Sequence, residues 1–101
     1  MKIPNKLKIG GFEWEIKENK EVAFEGNCFG STHLPSQRIY IDPDSTMQKK
    51  EQTLIHEILH ALWWQTGLTE RYKKTPEIQE EIIQALGHGM YQVLKDNDLL
   101  K

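Results

Sequence analysis

The chain has 101 residues, 38% of them hydrophobic and 28% charged. That length fits a single domain spanning residues 1–101, and that balance supports one small core and excludes a disordered chain. A formal charge of −2 gives no bulk electrostatic case for a nucleic-acid or anionic-membrane partner.

No apolar run is long enough to span a bilayer. The opening MKIPNKLKIGGFEWEIKENK lacks the apolar core and the small-residue cleavage site of a signal peptide. The single cysteine, Cys28, excludes an internal disulfide framework, so a reducing, cytoplasmic setting is expected. A small domain without disulfides often needs another staple, and a bound metal is one option.

Before Asp42 the chain reads as strands. Leu7, Ile9, Phe12, Trp14 and Ile16 are spaced as strand residues around a Gly10-Gly11 turn. A second pair follows, Cys28 to His33 and Arg38 to Asp42, joined by the hairpin loop Leu34-Pro35-Ser36-Gln37. After Asp42 the period becomes helical. The first long helix is expected to begin at Ser45 or Thr46, with Ser45 and Gln48 forming a capping box, and to stop at Gly67. Met47, Leu54, Ile55, Ile58, Leu59 and Leu62 form its apolar stripe. A polar connector, Thr69 to Lys74, leads to a second long helix that starts with Thr75 as cap and Pro76 at the first position and frays near Asp96-Asn97. Ile78, Ile82, Leu86, Val93 and Leu94 are its expected core stripe. The order β-β-β-β-α-α gives an α+β class, with a twisted, mainly antiparallel sheet of three to four strands.

The segment that carries chemistry is His56-Glu57-Ile58-Leu59-His60, an H-E-x-x-H pattern inside the first long helix. His56 and His60 are four residues apart, so both imidazoles leave one helical face and can share a zinc ion. Glu57 lies about 100° further round the helix, beside the metal, where it can take a proton from a metal-activated water and pass it to a leaving amine. Chance alone places this pattern in roughly a few chains per thousand of this length. A catalytic zinc site needs a third protein ligand. The second helix offers Glu77, Glu80, Glu81 and His88. Glu81 borders the small residues Ala85 and Gly89, which would let two helices approach closely, and this favours Glu81. Glu80 and Glu81 flank the apolar stripe almost symmetrically, so the helical wheel alone does not separate them, and His88, Glu80 and Glu77 stay open as alternatives.

HEILH followed by EEIIQALGHGMYQVLKDN resembles the small gluzincin-type metallopeptidases, the minigluzincins and ImmA/IrrE-like domains often encoded by phages and mobile elements. The resemblance covers roughly residues 28–97, with HEILH its specific part. It implies a zincin-like fold, one zinc ion per chain, His56, His60 and Glu81 as ligands, Glu57 as general base, and an extended protein or peptide segment as substrate. It also implies that the edge run Cys28 to His33 lies above the metal and pairs with that substrate by strand addition. Leu86-Gly87-His88-Gly89 departs from the relatives, which tend to carry small residues there without a histidine.

Cys28 as a thiolate ligand would hold such an enzyme latent, although a lone cysteine is more often a small buried hydrophobe. Of Trp63 and Trp64, one is expected to pack beneath the helix. Tyr40, Tyr72, Tyr91, His33 and His88 are the donors available for a developing oxyanion. A second function class fits the same residues: a non-catalytic or latent module, stapled by zinc, that binds another protein. A closed site with a fourth ligand from Cys28, His33 or His88 would mark it.

Overall fold

The computed structural model describes residues 2–26 and 29–100. Strands β1 (Lys6–Ile9) and β2 (Phe12–Glu18) form the expected hairpin, with Ile9 opposite Phe12. Gly10 and Gly11 have φ of 59° and 86°, and positive φ at both central residues is what a two-residue turn matching the sheet twist requires. Helix α1 (Lys20–Gly26) follows, then β3 (Gly30–His33), β4 (Arg38–Ile41), α2 (Met47–Gln65), the single turn α3 (Leu68–Arg71) and α4 (Pro76–Asp96).

The class is α+β, but the order departs from four consecutive strands. The segment after β2 turns helical because Asn19 caps it, its Oδ1 accepting from Val22 N at 3.1 Å. This helix changes the sheet. The strand order is β1-β2-β4-β3, antiparallel at both outer pairs and parallel between β2 and β4. Parallel neighbours need a crossover. Here α1 and β3 supply it, sending β3 to the edge and bringing β4 back beside β2. The sheet is therefore mixed.

The buried face of this sheet follows the period of two. Trp14 and Ile16 on β2 and Ile39 and Ile41 on β4 point inward and meet Leu54 and Ala61 of α2. Trp14 is completely enclosed. Helix α2 covers this face, and α4 packs mainly against the far side of α2.

The helix ends differ from expectation in detail. Thr46, not Ser45, caps α2, its Oγ1 accepting from Lys49 N at 3.1 Å, while the Ser45 hydroxyl donates to the Asp42 carbonyl at 2.8 Å. Thr75 precedes α4 as expected, yet its hydroxyl donates back to Tyr72 O instead of capping. The larger departure is on α4, where Ile83 and Gly87 are buried while Ile78, Ile82, Leu86 and Val93 are all exposed. The apolar arc of α4 is wide, and only its flank around Ile83 meets α2. On α2, Met47 and Leu62 are exposed, and Glu51, Thr53 and Glu57 take inner positions.

Buried Glu51 ties the two long helices together. Tyr91 donates its hydroxyl to Glu51 Oε1 at 3.0 Å, and Lys95 Nζ approaches the same oxygen at 3.3 Å. Burial pushes the Glu51 carboxyl up, hydrogen bonds that include those from Tyr91 and Lys95 pull it down, and the net direction is below the usual carboxylate range. A carboxyl lowered by folding stabilises the fold above its unfolded pKa, and that contribution is lost as pH falls. Urea midpoints are thus expected to drop between about pH 5 and pH 3. Tyr91→Phe should cost about 2 kcal/mol at neutral pH, because it removes a hydrogen bond to a charged group. It should also flatten the acid limb. An unchanged limb in that variant would show that Glu51 is not linked to folding through Tyr91.

Candidate metal centre

The H-E-x-x-H segment lies in the middle of α2, where the helix faces both the sheet and α4. His56 and His60 project toward α4, their Nε2 atoms 3.2 Å apart. Glu80, early on α4, completes a triangle: its Oε1 lies 3.1 Å from His56 Nε2 and its Oε2 3.0 Å from His60 Nε2. His56, His60 and Glu80 are the group, among the described residues, that can hold a metal ion.

The donor set fits such an ion. Ligand atoms about 2.0–2.1 Å from a tetrahedral centre lie roughly 3.3 Å from one another; the two imidazole nitrogens are 3.2 Å apart, and each has a different Glu80 carboxylate oxygen 3.0–3.1 Å away. Two imidazoles and one carboxylate match the ligand chemistry of open zinc sites. Lone-pair donors this close to one another also need a cation or shared protons between them.

The glutamate that meets the two histidines is Glu80; Glu81, the residue favoured from the sequence, is exposed and outside the group. The reason is the way α4 is turned. Its contact face runs through Glu80, Ile83 and Gly87, and Gly87 rather than Ala85 or Gly89 makes the close approach: a Cβ at Gly87 would stand 3.6 Å from His56 Cα. A methyl fits at that distance and a larger side chain does not. Gly87→Ala should be tolerated, and Gly87→Leu should push α4 off α2 and weaken metal uptake. Normal zinc affinity in Gly87→Leu, measured by chelator competition, would refute that account of the helix seam.

Glu57 reaches toward β3. It is 2% exposed. Its Oε2 lies 4.0 Å from His56 Nε2, and its Oε1 accepts a hydrogen bond from the Thr32 hydroxyl at 2.8 Å. Glu57 therefore stands beside the triangle and outside it, as the 100° helical offset requires. Nothing in the sequence singles out Thr32 by itself. The signal that finds it is strand alternation: Gly30 and Thr32 share the face of β3 that meets α2.

A cleft of about 330 Å³ opens beside this site, lined in part by His56, Glu57, Glu80, Phe29, Lys49 and His88. Of the five candidate oxyanion donors, His88 alone lines it. Gln52 Nε2 donates to His88 Nδ1 at 2.9 Å, which sets the ring apart from the triangle. Tyr91 is committed to Glu51, His33 stacks edge-on against Tyr40, and Tyr72 lies against Trp63. Trp63 is half-buried and Trp64 exposed. The expected role of Cys28 falls outside the described residues. No helix among the described residues is long and apolar enough to cross a membrane.

Neither a family model, nor a curated protein, nor a solved structure matches the chain.

Proposed function

We propose that this chain is a zinc-dependent metallopeptidase with a zincin-like fold of gluzincin type, with His56, His60 and Glu80 as ligands and Glu57 as general base. The observation that carries this reading is the triangle of two imidazoles and a carboxylate with a second, buried carboxylate alongside it. Three donors, His56, His60 and Glu80, come together among the described residues, the number that a catalytic zinc site takes from its protein.

Zinc bound there supplies the Lewis acidity that polarises a scissile carbonyl and acidifies water. The protein supplies the rest. Glu57 accepts the proton of the attacking water and returns it to the departing amine. Its 2% exposure keeps bulk water from competing for that carboxylate. His88, on the cleft wall, is placed to meet the substrate rather than the metal. The substrate class is an extended protein or peptide segment, laid beside β3 at the edge of the sheet.

The test is cleavage of an unfolded, fluorescently labelled protein by the zinc-loaded chain, read as new amino termini. Cleavage that chelator stops and zinc restores is the expected result. If zinc raises the melting temperature but no new termini appear, the ion acts as a staple and the enzymatic reading is lost.

A further inference from the structure

Strand β3 presents two positions to α2, and each has a distinct relation to Glu57. At Gly30 a Cβ would lie 2.5 Å from Thr53 Cγ2 and 3.3 Å from Glu57 Cγ. The missing side chain lets the strand lie against the stem of Glu57. Two residues on, Thr32 reaches the carboxylate itself. Its Oγ1 is 2.8 Å from Glu57 Oε1 and 3.2 Å from the Glu57 carbonyl oxygen. A hydroxyl has one proton to give, and the shorter contact, to a carboxylate, is the stronger.

The two oxygens of Glu57 are thereby distinguished. Oε1 is held by the strand, and Oε2 is the oxygen on the side of His56 Nε2, 4.0 Å away. The last torsion of a glutamate is broad and roughly two-fold, so packing of the stem alone does not fix the plane of the carboxylate. A hydrogen bond to one oxygen restrains it, and the Thr32 hydroxyl supplies such a bond.

We propose that Thr32 is a positioning residue for the general base: its hydroxyl orients the Glu57 carboxylate so that Oε2 stays on the side of His56 and the His56–His60–Glu80 group. This rests on the metallopeptidase reading for its purpose, while its test does not require turnover. It assigns to β3 a part in catalysis separate from binding a peptide edge to edge.

The experiment compares wild type with Thr32→Val, Thr32→Ser and Thr32→Ala, each loaded with zinc. Two quantities are measured: zinc affinity by chelator competition, and affinity for acetohydroxamic acid. This small probe binds zinc, gives its hydroxyl proton to a neighbouring base, and uses no substrate subsite. Thr32→Val should weaken acetohydroxamate by about 10-fold with zinc affinity unchanged, the loss expected when a hydrogen bond to a charged group is removed. Thr32→Ser should restore binding to near the wild-type value.

If Thr32→Val does not fold, Thr32→Ser against Thr32→Ala carries the same comparison, because the pair differs only by the hydroxyl. In a Glu57→Ala background the Thr32→Val effect should vanish, which a merely structural threonine would not produce. Wild-type affinity in Thr32→Val, failure of serine to rescue, or an effect that persists without Glu57 each overturns the proposal. A chain that takes up zinc and binds acetohydroxamate in this pattern, yet cleaves nothing, keeps the positioning role and loses the enzymatic reading. One that cleaves peptides with Thr32→Val unimpaired does the reverse. One that takes up no zinc loses both.

Discussion

Glu80→Ala is expected to strip the chain of zinc, and Glu81→Ala to leave it bound. The two positions are adjacent in the chain but point to different sides of α4: Glu80 Oε1 and Oε2 lie 3.1 Å and 3.0 Å from the two imidazoles, whereas Glu81 is exposed. Removing an outer partner of a ligand typically costs 10–100-fold in metal affinity, so losing a ligand outright should cost more than about 100-fold. His60→Ala should behave like Glu80→Ala. His88→Ala should keep its zinc, because that ring is paired with Gln52 and is not part of the triangle. Metal content per purified chain decides the matter. Retention of zinc by Glu80→Ala together with loss in Glu81→Ala would mean that α4 is rotated about its axis, with Glu81 facing the histidines. Loss in His88→Ala would point to a closed site with four protein ligands, and with it to a binding module in place of an enzyme.

Glu57→Gln should do the opposite, keeping zinc and abolishing hydrolysis. The amide has nearly the shape of the carboxylate and can still take a hydrogen bond from Thr32 through its oxygen, so the fold has little reason to respond. What it lacks is basicity. General acid–base groups contribute about 10²–10⁴-fold to rate, and the loss should fall in that range, chiefly in kcat. Zinc affinity should stay near the wild-type value, since Glu57 does not belong to the ligand triangle. A Glu57→Gln protein that hydrolyses at the wild-type rate would remove the base role. One that loses zinc would make Glu57 a ligand and leave the site without its base.

Much of this arrangement is legible in the residues. The alternation through Trp14 and Ile16 and the Gly10-Gly11 pair specify the first hairpin. The four-residue histidine spacing and the neighbouring glutamate place three functional groups from the helical period alone, because those relations are local. The parts that are not legible are set by contacts distant in sequence. Helix α1 is seven residues long, too short for a periodic signal, and only the Asn19 cap announces it. The parallel pairing of β2 with β4 leaves no mark on either strand. The choice between Glu80 and Glu81 depends on which flank of a wide apolar arc meets α2. The stripe Ile78, Ile82, Leu86 and Val93 looks like a core on the helical wheel, and yet Ile83 and Gly87 are the residues enclosed.

The seam between α2 and α4 has a thermodynamic consequence. Of the described residues of α4, only Ile83 and Gly87 are fully buried, so the helix is docked by a narrow strip. The residues that could hold a metal ion sit on both sides of it, two on α2 and one on α4. Only chains with α4 seated present all three at once. The apparent dissociation constant of the metal is then the intrinsic one divided by the seated fraction. Any change that shifts this fraction, such as shortening the side chain at Ile83 or filling the groove at Gly87, would tune affinity for an ion held there without altering a single donor, and a bound ion would in return hold the helix in place.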